Sequence, residues 1–193
     1  MSAASRIKLF GMSHQMVERE LDKVESRLDI DLQRSTRPED DRDDHYYPQF
    51  PEDVRHEAAA MGDHYELFYI LETSIRKLIS ERLHAEKGAG WWDTCVPENV
   101  KKSAADNIQR ELDSGVTRRS DDEIDYTTFG ELGEIVRANW QTFADTFNSQ
   151  KGFGRVMTSL NLLRGPIAHC CPLAADEVVR LRLTLGDWFR LME

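Results

Sequence analysis

Apolar residues in this 193-residue chain recur at intervals of three and four, segment after segment. That spacing is the period of one helix face, not of a strand. Leu71, Ile75, Leu78, Ile79 and Leu83 form such a stripe within a helix predicted over 54–85, which Gly88 and Gly90 stop. Pro97 then opens PENVKKSAADNIQREL, with proline at a suitable first-turn position. From Thr128, the residues Phe129, Leu132, Ile135, Val136, Trp140 and Phe143 predict one further helix. Phe153, Val156, Met157, Leu160 and Leu163 predict the next, which ends at a Gly165-Pro166 break. The last runs from about Ala174 and carries Val178, Leu181, Leu185, Trp188 and Met192. No stretch alternates apolar and polar residues long enough to make a sheet. The expected fold is all-α, a bundle of about five helices.

Two N-terminal segments stand apart from this bundle. Ser13 is placed to cap a helix running to about Leu28, with Val17, Leu21, Val24 and Leu28 on one face. Such a helix could pack back on the bundle, pair with its copy or bind a partner. Residues 35–53 hold three prolines and a dense acidic run from Glu39 to Asp44, so they read as a linker or loop. The expected organisation is an appendage over 1–34, a linker over 35–53 and a helical domain over 54–193.

Charge and cysteine usage narrow the function classes. Asp and Glu total 35 and Lys and Arg 25, a net charge of -10. This opposes binding of nucleic acid by bulk charge and leaves a local basic site open. Residues 1–64 hold fifteen acidic and nine basic residues, a balance of -6. The remaining 129 residues are therefore only mildly acidic, at -4. No run of 18 apolar residues occurs, and MSAASRIKLFGMSHQ lacks an apolar core for a signal peptide. Three cysteines, two of them adjacent (Cys170 and Cys171), make a disulfide framework improbable. The expected setting is cytoplasmic, with no membrane partner.

Most catalytic signatures are missing. HEAAA at His56 begins like a zinc-protease helix, but Ala60 stands where the second histidine ligand belongs. The six histidines are scattered and no Cys-x-x-Cys occurs, so no metal and no other cofactor is expected. Glycine-rich phosphate loops and the Gly-x-Ser-x-Gly elbow are also lacking. Cys95, beside Val96, reads as a buried, inert thiol. What remains is LRGPIAHC, in which Arg164 and His169 flank a Gly-Pro pair at the end of an amphipathic helix. Arg offers a fixed fork for phosphate, and His a proton acceptor and donor near neutral pH. Together they suit phosphodiester chemistry on RNA, whose 2′-hydroxyl is a built-in nucleophile. The competing structural reading has Arg164 capping carbonyls at the break and His169 opening the next turn.

An Arg-x4-His motif at a helix break in an all-α chain resembles the HEPN superfamily of ribonucleases. The likeness extends to YELFYILETSIRKLISERL (65–83), GWWD (90–93), DYTTFGELGEIVRANWQTF (125–143) and LLRGPIAHCCPLAADEVVRL (162–181). These segments are similar to the Swt-type HEPN subgroup over roughly residues 60–192. The resemblance implies a metal-independent endoribonuclease acting as a homodimer, with two Arg-His motifs facing each other. His169 would polarise the 2′-hydroxyl or protonate the leaving oxygen, and Arg164 would neutralise the scissile phosphate. Products would be a 2′,3′-cyclic phosphate and a 5′-hydroxyl. It also implies a toxin or an effector of antiviral defence. Residues 1–53 lie outside the resemblance; their helix and acidic linker read as docking material, for an antitoxin or defence-complex partner, and also fit the alternative of a regulatory module. The family often has Asn directly after the Arg, where this chain has Gly165. A subgroup silenced by nucleotidyl transfer carries Tyr two residues after the His, where this chain has Cys171. Gly165 favours the alternative of a catalytically weak module that binds a partner or nucleotide.

Glu72 and Arg76, four apart on the first long helix, match polar positions that can face the family's active-site cleft. Glu72 would orient Arg164 or His169, and Arg76 would add a phosphate contact. The competing reading is a surface ion pair. Arg155, Lys101 and Lys102 are further candidates for contact with an RNA backbone. The four tryptophans read as core residues, and Arg118 and Arg119 as solvated.

Overall fold

The computed structural model describes residues 50–193, together with Leu21, Val24 and Arg27, which are helical. The rest of the expected Ser13–Leu28 helix and most of the acidic segment 35–53 lie outside the described residues. The chain divides into two compact units, residues 1–55 and 56–193. All packing and the pocket discussed below belong to the second.

Among the described residues every regular element is helical. Five helices have ten or more residues: α1 (Glu52–Lys87), α3 (Glu98–Asp113), α4 (Phe129–Ala138), α6 (Gln150–Ala168) and α7 (Ala175–Arg190). Two short ones, α2 (Trp91–Cys95) and α5 (Trp140–Phe143), link them. Among the described residues two 3-10 turns span Gly88–Gly90 and Glu123–Tyr126. No described helix is long and apolar enough to cross a membrane.

The helical stripes become the core. On α1, Phe68, Leu71, Ile75, Ile79 and Leu83 are all at most 4% exposed, while Leu78 sits at the edge, half-buried. They meet α4, where the Phe68 and Phe129 rings pack edge to face at 6.2 Å. α4 packs on α6 at Gly133, where a Cβ would meet the Met157 side chain in ordinary contact at 3.6 Å. α6 in turn buries Phe153, Val156, Met157, Leu160, Leu163 and Ile167. At the far end Phe147, Phe153 and Trp188 form an aromatic cluster, with centroids 4.8 to 6.0 Å apart. Burying such side chains stabilises by about 1.5–3 kcal/mol each. Of the four tryptophans only Trp188 is buried; Trp91, Trp92 and Trp140 are half-buried.

Local signals set the helix ends. Thr128 and Glu131 form a reciprocal capping box at α4, and Ser149 caps α6 through the Gly152 N–H. Two expectations need correction. The helix expected from Thr128 to Phe143 is interrupted at Asn139, which leaves helical geometry at φ -114° and ψ 35°. Its side-chain amide donates to the Cys95 and Ile135 carbonyls, both at 2.8 Å. This polar tie anchors the GWWD turn, and the apolar pattern through Trp140 and Phe143 does not reveal it. Second, α6 does not break at Gly165-Pro166 but runs on to Ala168. Proline's fixed φ is helical, so α6 continues through Pro166, at the cost of the hydrogen bond its missing N–H would make and of the ring's crowding against the preceding turn. The actual stop comes at His169. The Cys170 N–H donates to Ile167 and the Cys171 N–H to Pro166, the paired bonds of a Schellman cap.

Candidate active site

One face of α1 builds the site. Tyr65, Tyr69, Glu72 and Arg76 stand at offsets of 0, 4, 7 and 11, a single helical stripe beside the buried one. Opposite it, Arg164, Ile167 and Ala168 share a face of α6. Together with Phe68 and Thr73 they line an open pocket of about 170 Å³.

Glu72 organises the polar side of this pocket. One of its carboxylate oxygens accepts from Arg76 Nη2 at 2.6 Å, and the other accepts from Arg164 Nε at 3.0 Å. The Glu72 and Arg76 side chains are only 13% and 17% exposed, so this is not the solvated surface pair of the competing reading. Burial makes it important that every charge has a partner, and each does.

Arg76 is committed elsewhere as well. Its Nη2 donates to the Thr127 carbonyl at 2.8 Å and its Nε to the Ile124 carbonyl at 3.2 Å. Asn107 on α3 grips the same turn, donating to the Tyr126 carbonyl at 3.0 Å. Arg76 therefore holds the 3-10 turn against α1. Its Nε and Nη2 are both engaged, by Glu72 and these carbonyls. Arg164 differs. Its side chain is 36% exposed, and Nε alone is engaged, leaving both terminal nitrogens without a hydrogen bond among the described residues. Glu72 faces both guanidiniums, and Asp125 Oδ1 stands 3.9 Å from Arg76 Nε, so two carboxylates accompany the two arginines.

His169 is the C-cap of α6, exposed, with φ -107° and ψ 19°. It is not among the residues lining the pocket. On a regular helix a five-residue separation turns its side chain about 140° from that of Arg164. The helix that continues through Gly165-Pro166 thus turns the two side chains to different sides of α6.

The basic candidates do not gather at the pocket. Arg155 is exposed and nine residues before Arg164 on α6, which puts it about half a turn away around the helix. Lys101 pairs with Glu98 at 2.8 Å and donates to the Asp93 carbonyl at 3.1 Å, while Lys102 is exposed on α3. Arg119 is paired with Glu111 and lies 4.9 Å from the Tyr126 ring centroid, and so is more than solvated. Cys95 is half-buried, and Cys170 and Cys171 are exposed. Among the described residues no three His, Cys, Asp or Glu side chains cluster as metal ligands would.

A family model described as Swt1-like HEPN matches residues 66–193. The chain belongs to the Swt1-like HEPN family. No curated protein and no solved structure matches it. The HEPN match takes in Glu72, Arg76, Arg164 and His169, while Tyr65 lies just before it. The aromatic part of the pocket escaped sequence reasoning. Its signal was the stripe itself, since Tyr69 and Tyr65 continue the Glu72–Arg76 face three and seven residues before Glu72.

Proposed function

We propose that this Swt1-like HEPN chain is a homodimeric endoribonuclease that needs no metal. The supporting observation is the Glu72–Arg164 bond. It fixes a guanidinium by its Nε and leaves the two terminal nitrogens at an open pocket. That is the arrangement a bidentate phosphate contact requires.

In the proposed reaction His169 accepts the proton of a ribose 2′-hydroxyl. The 2′-oxygen attacks the adjacent phosphorus while the bond to the 5′-oxygen breaks. An imidazolium returns a proton to that leaving oxygen. Arg164 neutralises the charge that builds on the equatorial oxygens. Products are a 2′,3′-cyclic phosphate and a 5′-hydroxyl. The turn between Arg164 and His169 on one helix supports a shared site, in which a second copy supplies the group that one copy cannot bring to the phosphate. A cytoplasmic toxin or defence effector, restrained or recruited through residues 1–53, is the setting that fits the family.

One observation favours the second reading, a weak HEPN module that regulates a partner or binds a nucleotide. Gly165 stands where the family often has Asn, so a hydrogen-bonding side chain next to Arg164 is missing.

The test is incubation of the full chain with total RNA or tRNA in EDTA, beside Arg164→Ala and His169→Ala, with solution mass measured in parallel. Cleavage by a dimeric wild type that is lost in both variants supports the enzyme. A folded wild type that leaves RNA intact at micromolar dimer favours the regulatory reading, and a strict monomer rules out the shared site.

A further inference from the structure

Tyr65 and Tyr69 are unusual for α1. The two residues are 61% and 62% exposed, although Phe68 between them is buried. They lie 6.3 Å apart, tilted by 34°, so together they present one broad aromatic ledge. Among the described residues their hydroxyls make no hydrogen bond. The ledge is continuous with the pocket that ends on Glu72, Thr73 and Arg164. At about 170 Å³ this pocket is smaller than one for a drug-sized ligand and cannot seat a helix, but suits one flat ring system.

We infer that this pocket is a nucleobase subsite, in which one base of single-stranded RNA stacks on the Tyr65–Tyr69 ledge while its phosphate meets Arg164. The inference rests on the ribonuclease reading and adds to it the part of the substrate that α1 recognises. Stacking on exposed aromatics tolerates any base, because each has a π-face. A cation beside the ring platform supplies the phosphate contact that stacking lacks. Thr73, exposed at the rim, offers a hydroxyl that both donates and accepts to a base edge. Glu72 binds no RNA here. It is already spent on two arginines, and by holding Arg164 it sets the distance between ledge and phosphate site.

The experiment measures binding instead of cleavage. Full-length protein carrying His169→Ala, which keeps RNA intact, is titrated against a short fluorescent single-stranded oligoribonucleotide by anisotropy. The same oligonucleotide with one abasic position serves as the second ligand. Tyr65→Ala and Tyr69→Ala, each added to His169→Ala, are expected to weaken binding of the intact strand about tenfold. Tyr69→Phe keeps the affinity, because the ring and not the hydroxyl carries the contact. The abasic strand binds more weakly and loses little further on Tyr69→Ala. Equal losses on both strands, or no loss on either, would overturn the subsite. So would a fall in solution mass on Tyr69→Ala, which would make the ledge a contact between two copies. No binding of any strand by the His169→Ala protein overturns it as well. If the wild type cleaves RNA but the tyrosine variants bind normally, the subsite fails alone. If the tyrosines govern binding but no cleavage occurs, the subsite stands and the nuclease reading falls.

Discussion

The Nε of Arg164 donates to Glu72 across 92 residues of sequence, at 3.0 Å. This bond joins the middle of α1 to the last turns of α6 and decides how the Arg164 guanidinium is presented. Charge-assisted bonds of this kind contribute about 1.5–3 kcal/mol each. Glu72→Gln removes the charge but keeps the shape. RNA cleavage should fall by roughly ten- to a hundredfold, through kcat more than KM, if Arg164 acts mainly on the transition state. An unchanged rate would mean that Arg164 finds its position without Glu72.

Arg76→Ala should act on stability instead. It strips the side-chain donor from the Thr127 carbonyl and one of three donors from the Ile124 carbonyl, both on buried residues, and leaves Glu72 with one partner fewer. The loss is about 3 kcal/mol, a fall of roughly 10 °C in Tm for a chain of this size. Arg76→Lys cannot reproduce the fork and should recover less than half. A variant with wild-type Tm and weakened RNA binding would instead make Arg76 a direct phosphate contact.

The bundle was largely legible in the sequence because burial imposes its own period. The stripes on α1, α4, α6 and α7 follow from apolar spacing alone. The ends were less legible, since they depend on polar details that leave the apolar pattern untouched. Asn139 interrupts an unbroken run of apolar positions by bonding backward to Ile135 and across to Cys95. Pro166 suggested a break, yet two more residues remain helical before the cap forms. Glu72, Arg76, Arg164 and His169 could all be named in advance. Their pairing could not, because it depends on which side of α6 turns toward α1. The same packing detail leaves Arg155 off the pocket although it shares a helix with Arg164.

Gly165 offers a way to separate the two functional readings. A Cβ built at this position meets nothing within 4 Å, and the residue is helical. Asn should therefore fit without strain, with a gain of about 0.3 kcal/mol in helix propensity. If the missing side chain limits activity, Gly165→Asn raises the cleavage rate roughly fivefold, the worth of about one hydrogen bond. A folded Gly165→Asn protein that cleaves no faster would show that this position does not set the rate.

Cys170 occupies the left-handed position of the α6 cap, with φ 55°. A side chain there costs about 1–2 kcal/mol, and glycine avoids most of it. Allowing for glycine's greater freedom when unfolded, Cys170→Gly should stabilise by about 1 kcal/mol, raising Tm by roughly 3 °C. A lower Tm in thermal melts would show that the Cys170 side chain makes a contact worth more than the strain.

The most direct measurement is of the chemical ends left on RNA. Wild-type protein is incubated with a defined single-stranded RNA in EDTA, and the fragments are analysed by mass. Attack by the 2′-hydroxyl should leave 2′,3′-cyclic phosphate and 5′-hydroxyl ends, absent with Arg164→Ala and with His169→Ala. Fragments ending in a plain 3′-hydroxyl, or cyclic ends that persist in the His169→Ala protein, would contradict it.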